Sequence, residues 1–345
     1  MAPVLQQLTL GAYRGISQLQ LHELSAVSLV VGANNAGKTS ILEAAGLVLR
    51  PADPGQWVST LRRRDADMDL VDGIWSMFPG SEALHLDDGG QESSALTLEA
   101  ILGGTQRQLH GTAVATQVTG SDGGSGLTLR MEMNVDGHLV GLSFAPPKAA
   151  LFPGTIIKTY RTFTVTPASH YSTDIFVEQL SQVVDAGRKQ LAVQMLRIFD
   201  PAVVDLDVVA SLGRKAVRVT HKIRGVVDLS SFGDGMRRAA VLALALTRAS
   251  GGVVLVDEIE AGIHHSLLRP SLARLLEAAS ESKVQILATT HSLEAIDAVI
   301  GAVEDRGTPD ALAAYWVQRG PTGHEVRRYD FDKLCTLRDG GLDIR

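Results

Sequence analysis

The sequence predicts an α/β fold: a mostly parallel sheet covered by helices, an antiparallel β lobe early in the chain, and a short helical insertion. Three observations predict it. Helical and strand patterns alternate through Met236–Thr247, Val253–Val256, Leu267–Ala279 and Ile286–Thr290, the order that builds a parallel layer under helices. The apolar run Ser28–Val31 passes through a glycine-rich loop into a helical stretch, Thr39–Leu49. Between these regions, Ala95–Leu102, Leu127–Asn134 and His138–Phe144 alternate apolar with polar residues and are divided by glycine-rich turns, as in a half-buried antiparallel meander.

Bulk composition bounds the rest. The chain has 345 residues, 45% of them hydrophobic, enough for a substantial core in about one to three domains. Its single cysteine, Cys335, excludes an internal disulfide framework. No basic-then-apolar leader opens the chain, and no run approaches the ~20 apolar residues of a membrane span. A cytoplasmic protein with no membrane partner is therefore expected. The net charge of -6 argues against a generic basic coat for nucleic acid. The local run Arg62–Arg64 is followed by Asp65, Asp67 and Asp69, so a solvated loop is its expected role.

In chain order, Leu8–Leu10 and Leu19–Leu21 read as short strands around the turn Tyr13–Ile16. The Thr39–Leu49 helix is apolar over most of its surface and should be buried; it stops before Pro51. The patch Gly73–Phe78 suggests a docked segment, Ser121–Gly126 a flexible turn, and Thr155–Tyr160 a strand. Asp174–Phe199 reads as one helical region broken near Gly187. Two strands, Val203–Val209 and Lys215–Ile223, follow, and Leu312–Gln318 with Glu325–Tyr329 forms a final hairpin.

Gly32-Ala33-Asn34-Asn35-Ala36-Gly37-Lys38-Thr39, continued by Ser40, is the full phosphate-loop pattern in its strand–loop–helix setting. Glycines let backbone amides close around a phosphate, Lys38 brings a mobile positive charge to the β and γ oxygens, and the Thr39 hydroxyl can ligate Mg2+. ATP or GTP is the implied ligand. A second apolar strand, Val253–Val256, delivers Asp257 and Glu258 to its carboxyl end. There Asp257 can hold the metal beside Thr39, and Glu258 can polarise an attacking water. A third strand ends in Thr290-His291-Ser292, where His291 can sense the γ-phosphate or align water whether or not it is charged.

Together these pieces resemble the ABC-type ATPase heads of the SMC and RecF group, and more closely the small-insertion relatives that include OLD-family nucleases and bacterial defence ATPases. Leu10–Ile16 resembles their first strand, Val256–His264 their acidic strand end and the loop after it, and Thr290–Ser292 their switch histidine. Leu229-Ser-Ser-Phe-Gly-Asp-Gly-Met-Arg-Arg238 resembles the ABC signature, although the usual Leu-Ser-Gly-Gly-Gln is absent. The resemblance implies that this helix start, through Ser231, Gly233, Asp234 and Gly235, faces the nucleotide of a second subunit. Unpaired amides and the helix dipole suit it to an anion.

The resemblance further implies an ATPase using ATP and Mg2+, with Lys38, Glu258 and His291 in catalysis. It divides the chain into an N-terminal lobe at 1–160, an insertion at 161–224 and a C-terminal lobe at 225–345. It implies pairing with itself, as a homodimer or higher oligomer, and work in DNA sensing, repair or antiphage defence through a separately encoded nuclease or other effector, with double-stranded DNA as a candidate ligand. An ATP-dependent scaffold that binds protein alone is the alternative. The glutamine that links the first lobe to Mg2+ in such proteins is not assigned to a position here; Gln91 and Gln106 lack the context, and Tyr160-Arg161 is expected near that joint. The insertion is too short for a coiled-coil tether, since about 25 helical residues span only ~38 Å.

Overall fold

The first two strands, β1 (Leu5–Tyr13) and β2 (Ile16–Leu21), form an antiparallel hairpin that buries Leu5, Leu8, Leu10, Leu19 and Leu21. This is a computed structural model, and it describes residues 2–60, 69–80, 90–119, 125–145, 148–152, 157–171, 173–185, 187–211, 214–321 and 323–344. The Arg62–Arg64 run and most of the Ser121–Gly126 turn lie outside these residues.

From the hairpin the chain enters β3 (Val27–Val31), buried at every position, and then α1 (Lys38–Leu49). Two short helices follow, α2 (Pro54–Ser59) and α3 (Leu70–Trp75), the second burying Val71, Ile74 and Trp75 as the docked patch predicts. The strands β4 (Gln91–Leu102), β5 (Thr105–Thr119), β6 (Ser125–Val135), β7 (His138–Ala145) and β8 (Lys148–Phe152) then run as a meander. With the first hairpin they make a seven-stranded antiparallel sheet in the order β2-β1-β4-β5-β6-β7-β8.

The chain next contributes β9 (Thr162–Val165), the insertion helices α4 (Thr173–Asp185) and α5 (Gln190–Phe199), and a small antiparallel sheet of β10 (Val203–Ser211), β11 (Arg214–His221) and β12 (Gly225–Asp228). Gly187, at φ +67°, sits in the break between the two helices, as its position in the sequence suggests. Of the expected strand at Thr155–Tyr160, the first two residues lie outside the described ones, and the described residues 157–160 are irregular; pairing with β13 makes a strand of Thr162–Val165 instead.

The last part alternates α6 (Asp234–Arg248), β13 (Val253–Val256), α7 (His265–Glu281), β14 (Gln285–Thr290), α8 (Leu293–Arg306), the hairpin β15 (Leu312–Gly320) and β16 (Gly323–Asp330), and α9 (Phe331–Asp339). The central sheet has the order β16-β15-β3-β14-β13-β9, with every pairing parallel except β15–β16. Alternation along its strands separates two cores. Leu29, Val31, Val254, Val256 and Ile286 face helices α5 to α8, whereas Val30, Val253, Leu255, Leu287 and Tyr315 face α1 and the antiparallel sheet. Helix α1 lies between two sheets, which explains why apolar residues surround it on most sides. Buried Gln285 ties the sheets together, accepting from the Leu5 amide at 2.8 Å and donating to the Leu5 carbonyl at 2.8 Å. Among the described residues, no helix is long and apolar enough to cross a membrane.

Candidate nucleotide site

The loop after β3 is shaped by backbone conformations that few side chains permit. Gly32, Asn35 and Gly37 have φ of +150°, +66° and +86°. A Cβ on Gly32 would lie 2.2 Å from the Val317 carbonyl oxygen, so the close approach of the β15 backbone also requires glycine there, while one on Gly37 would meet the end of the Ile16 side chain at 2.8 Å. Gly37 caps α1 without a side-chain hydrogen bond, and the first turn carries no acidic residue. The opening amides of the helix are thus not answered by a carboxylate of their own turn, the arrangement that favours a bound anion.

Lys38 folds back over the loop, its Nζ donating to the carbonyls of Gly32 at 2.7 Å and Ala33 at 2.9 Å. Burial pulls this ammonium below its ordinary pKa, while Asp257, Glu258 and Glu260 act in the opposite direction. A phosphate oxygen can replace either carbonyl with a stronger, charge-assisted bond.

Parallel pairing sets the acidic side. The Asp257 amide donates to the Val165 carbonyl at 2.8 Å, extending the ladder beyond both strand ends. Its buried carboxylate accepts from Thr39 Oγ1 at 3.0 Å and from Thr289 Oγ1 at 2.6 Å. The Thr289 hydroxyl also accepts from the Glu258 amide at 2.9 Å, while Glu258 is held at φ +51°. A non-glycine residue in that region costs about 1–3 kcal/mol and persists only where surrounding contacts over-determine it. Thr289 is one such contact. Thr289→Val should leave the Glu258 amide unpaired and lower stability by about 1–3 kcal/mol, read as the shift in the urea midpoint.

Mg2+ suits this corner. It takes hard oxygen ligands, often one or two from protein with the remainder from phosphates and water, and a hydroxyl facing a carboxylate supplies that set. Among the described residues, no cluster of three or more His, Cys, Asp or Glu could hold a metal. Beyond it, Glu260 Oε1 accepts from Thr290 Oγ1 at 2.8 Å and from the His291 amide at 3.3 Å. The half-exposed His291 ring brings Nδ1 to 3.6 Å from the same oxygen, so this carboxylate orients the end of β14.

The start of α6 lies at an exposed corner. Ser231 closes a 3-10 turn, its hydroxyl donating to the Asp228 carbonyl at 2.7 Å, and Gly233 caps the helix without a side chain. Asp234 is exposed and accepts from the Tyr171 hydroxyl at 2.7 Å. A Cβ on Gly235 would meet Phe199 Cε1 at 2.8 Å and the Gly262 carbonyl oxygen at 3.0 Å, so glycine lets the helix sit against the loop after Glu258. Gly235→Ala should therefore cost about 1–3 kcal/mol, measured by urea unfolding. An unchanged midpoint would mean that the contact relaxes freely.

Residues 160–297 match the family model described as "AAA domain, putative AbiEii toxin, Type IV TA system". This stretch includes Asp257, Glu258, His291 and the start of α6, and the phosphate loop precedes it. The chain carries an AAA-type P-loop ATPase domain. This ATPase is 33% identical over 115 residues to the uncharacterised protein MJECL11 of Methanocaldococcus jannaschii, a match covering 33% of this chain and 99% of the archaeal one. It is 29% identical over 87 residues to an ATP/GTP phosphatase of Helicobacter pylori, spanning only 24% of each. In fold it is similar to an SMC head solved bound to the C-winged helix domain of ScpA, with a TM-score of 0.53, 13% identity, and coverage of 96% of this chain and 99% of that one.

Within this ATPase, the structure brings Thr39 and Lys38 to one side and Asp257, Glu258 and His291 to the other, at the carboxyl ends of parallel strands. Tyr160 and Arg161 are placed differently from the site. The Tyr160 amide donates to the Leu49 carbonyl, and the Val253 amide donates to the Arg161 carbonyl at the opening end of β13, so the pair sits at the other end of that strand from the acidic residues. Thr166, just past β9, is the residue of that connection beside Asp257. Sequence reasoning also missed Thr289, Glu260 and Arg238. Thr289 and Glu260 lie within motifs that were otherwise read, but a threonine in a strand and a second acid in a loop carry no distinguishing signal.

Proposed function

We propose that this chain is an ATP-hydrolysing molecular switch of the OLD/RecF kind, acting in DNA sensing, repair or antiphage defence and regulating a separate effector. The observation that carries the reading is the 3.0 Å approach of Thr39 Oγ1 to the Asp257 carboxylate, which sets the phosphate loop opposite an acidic strand end. The toxin–antitoxin description of the matching family supports a defence role.

In this reading, backbone amides of Gly32, Ala33, Asn34, Asn35, Ala36 and Gly37 surround the phosphates, Ser40 extends the cradle, and Lys38 neutralises the β and γ oxygens. Thr39 and Asp257 would hold Mg2+, which supplies charge neutralisation on the phosphates. Glu258 orients a water and accepts its proton as the water oxygen bonds to the γ-phosphorus. The bond from that phosphorus to the β–γ bridging oxygen breaks, its electron pair leaves with ADP, and the proton passes on to solvent or phosphate. His291 donates to the γ-phosphoryl oxygens or steadies the water. Ser231 and Gly233–Gly235 of a second copy present a helix start to the same γ-phosphate, so two copies close over two nucleotides.

Phosphate release with and without Mg2+, in wild type and Asp257→Asn, tests the chemistry. Mg2+-dependent release that collapses in the variant is expected; equal release in both would refute the metal assignment. Duplex DNA added to the ATP-bound form separates the biological readings. Binding that weakens steeply with salt marks direct sensing of DNA, whereas binding only to a protein partner marks a scaffold.

A further inference from the structure

Arg238 is a full cation with no exposed surface. It lies one turn into α6, beyond the exposed Gly233–Gly235 corner, and points inward under the acidic strand end. Its Nη2 donates to the carbonyls of Asp257 at 2.9 Å and Glu258 at 3.0 Å, and its Nη1 donates to the Thr166 carbonyl. One planar fork therefore grips the main chain just past both β9 and β13. Its Nε is buried with no hydrogen-bond partner among the described residues. Burial brings the guanidinium down to about 10, against the pull of Asp257, Glu258 and Glu260.

Burying a charge with no carboxylate partner among the described residues is costly, and the guanidinium offsets that cost by answering three main-chain carbonyls that an apolar side chain would leave unpaired. What the guanidinium adds is a rigid link. The residues it holds include Glu258, whose backbone occupies the strained left-handed region and whose amide is pinned from the other side by Thr289. A displacement of α6 is transmitted to that turn through bonds with fixed geometry. The same helix packs by Gly235 against the loop that follows the turn, so its exposed end and the acidic turn form one mechanical unit.

We infer that Arg238 is a positioning residue that couples the start of α6 to Glu258, so that what contacts the exposed helix corner sets whether the carboxylate is placed for hydrolysis. The inference rests on the proposed role of Glu258 as the group that takes the proton from water. It assigns Arg238 no contact with nucleotide. Lysine cannot replace it, because a single ammonium nitrogen cannot reproduce a planar fork spanning two strand ends.

The test compares Arg238→Lys and Arg238→Gln with wild type, each also combined with Glu258→Gln, by Mg-ATP affinity, kcat and thermal midpoint. Coupling predicts that Arg238→Lys lowers kcat by about tenfold or more while ATP affinity stays within about threefold. It also predicts that neither Arg238 variant slows the Glu258→Gln enzyme further, because both act through one group. An unchanged kcat in both single variants would overturn the inference. So would a loss that multiplies with Glu258→Gln, or unfolding of both variants, which would make Arg238 a folding element. If Glu258→Gln alone leaves turnover intact, the proposed chemistry fails first and the coupling falls with it; a slow Glu258→Gln beside fully active Arg238 variants rejects the coupling alone.

Discussion

Lys38→Ala should abolish nucleotide binding and hydrolysis together. The Lys38 ammonium now rests on two carbonyls of its own loop, at 2.7 and 2.9 Å, and is the cation placed to exchange them for phosphate oxygens. Alanine preserves α1, because it is the strongest helix former and the loop's shape depends on Gly32 and Gly37. The fold should survive while the charge is lost. Charge-assisted bonds contribute about 1.5–3 kcal/mol each, so losing two of them should weaken ATP binding by at least about a hundredfold. Calorimetric titration with Mg-ATP measures this directly. Near-wild-type affinity with fast turnover would defeat the phosphate-loop assignment.

Glu258→Gln should produce the opposite separation: retained binding and a slow chemical step. Glutamine keeps the shape and the main-chain contacts with Thr289 and Arg238 but cannot take a proton. General-base catalysis contributes typically 10²–10⁴-fold, so turnover should drop by about that range with ATP affinity nearly unchanged. Single-turnover hydrolysis and equilibrium binding on one preparation resolve the two effects. If turnover holds steady, another group is the base, and Glu260 is the next carboxylate to replace.

How much of this was legible in the sequence depended on whether local pattern or tertiary pairing decides an element. The strand–loop–helix from Val27 to Leu49 was readable because glycine spacing, apolar runs and Pro51 each mark it locally. The helix–strand alternation from α6 to β14 was readable for the same reason. Strand β5 was not, because its buried positions are Arg107, Leu109, Gly111, Ala113 and Ala115, which give little apolar alternation. Residues 162–165 become a strand through pairing with β13, a tertiary cause that no four-residue window contains.

At the site, Lys38, Thr39, Asp257, Glu258 and His291 announced themselves through sequence context, and the geometry that relates Thr39 to Asp257 spans 218 positions. Arg238 was hidden for a different reason. Next to Arg237 at the start of a helix it reads as ordinary surface charge, and only packing shows that one arginine turns inward while its neighbour caps the His170 carbonyl. Residues that touch substrate cluster in motifs; those that hold the motifs in place are dispersed among residue types with many other uses.

In the proposed switch, two heads close over ATP, each lending the exposed start of α6 to the other's phosphate loop. The most direct measurement is the light-scattering mass of Glu258→Gln protein with and without Mg-ATP, since slowed hydrolysis should trap the closed form. A monomer that doubles in mass when Mg-ATP is added is expected, and the doubling should disappear when Lys38→Ala is added to the same chain. A mass that stays monomeric at saturating Mg-ATP would contradict this closure.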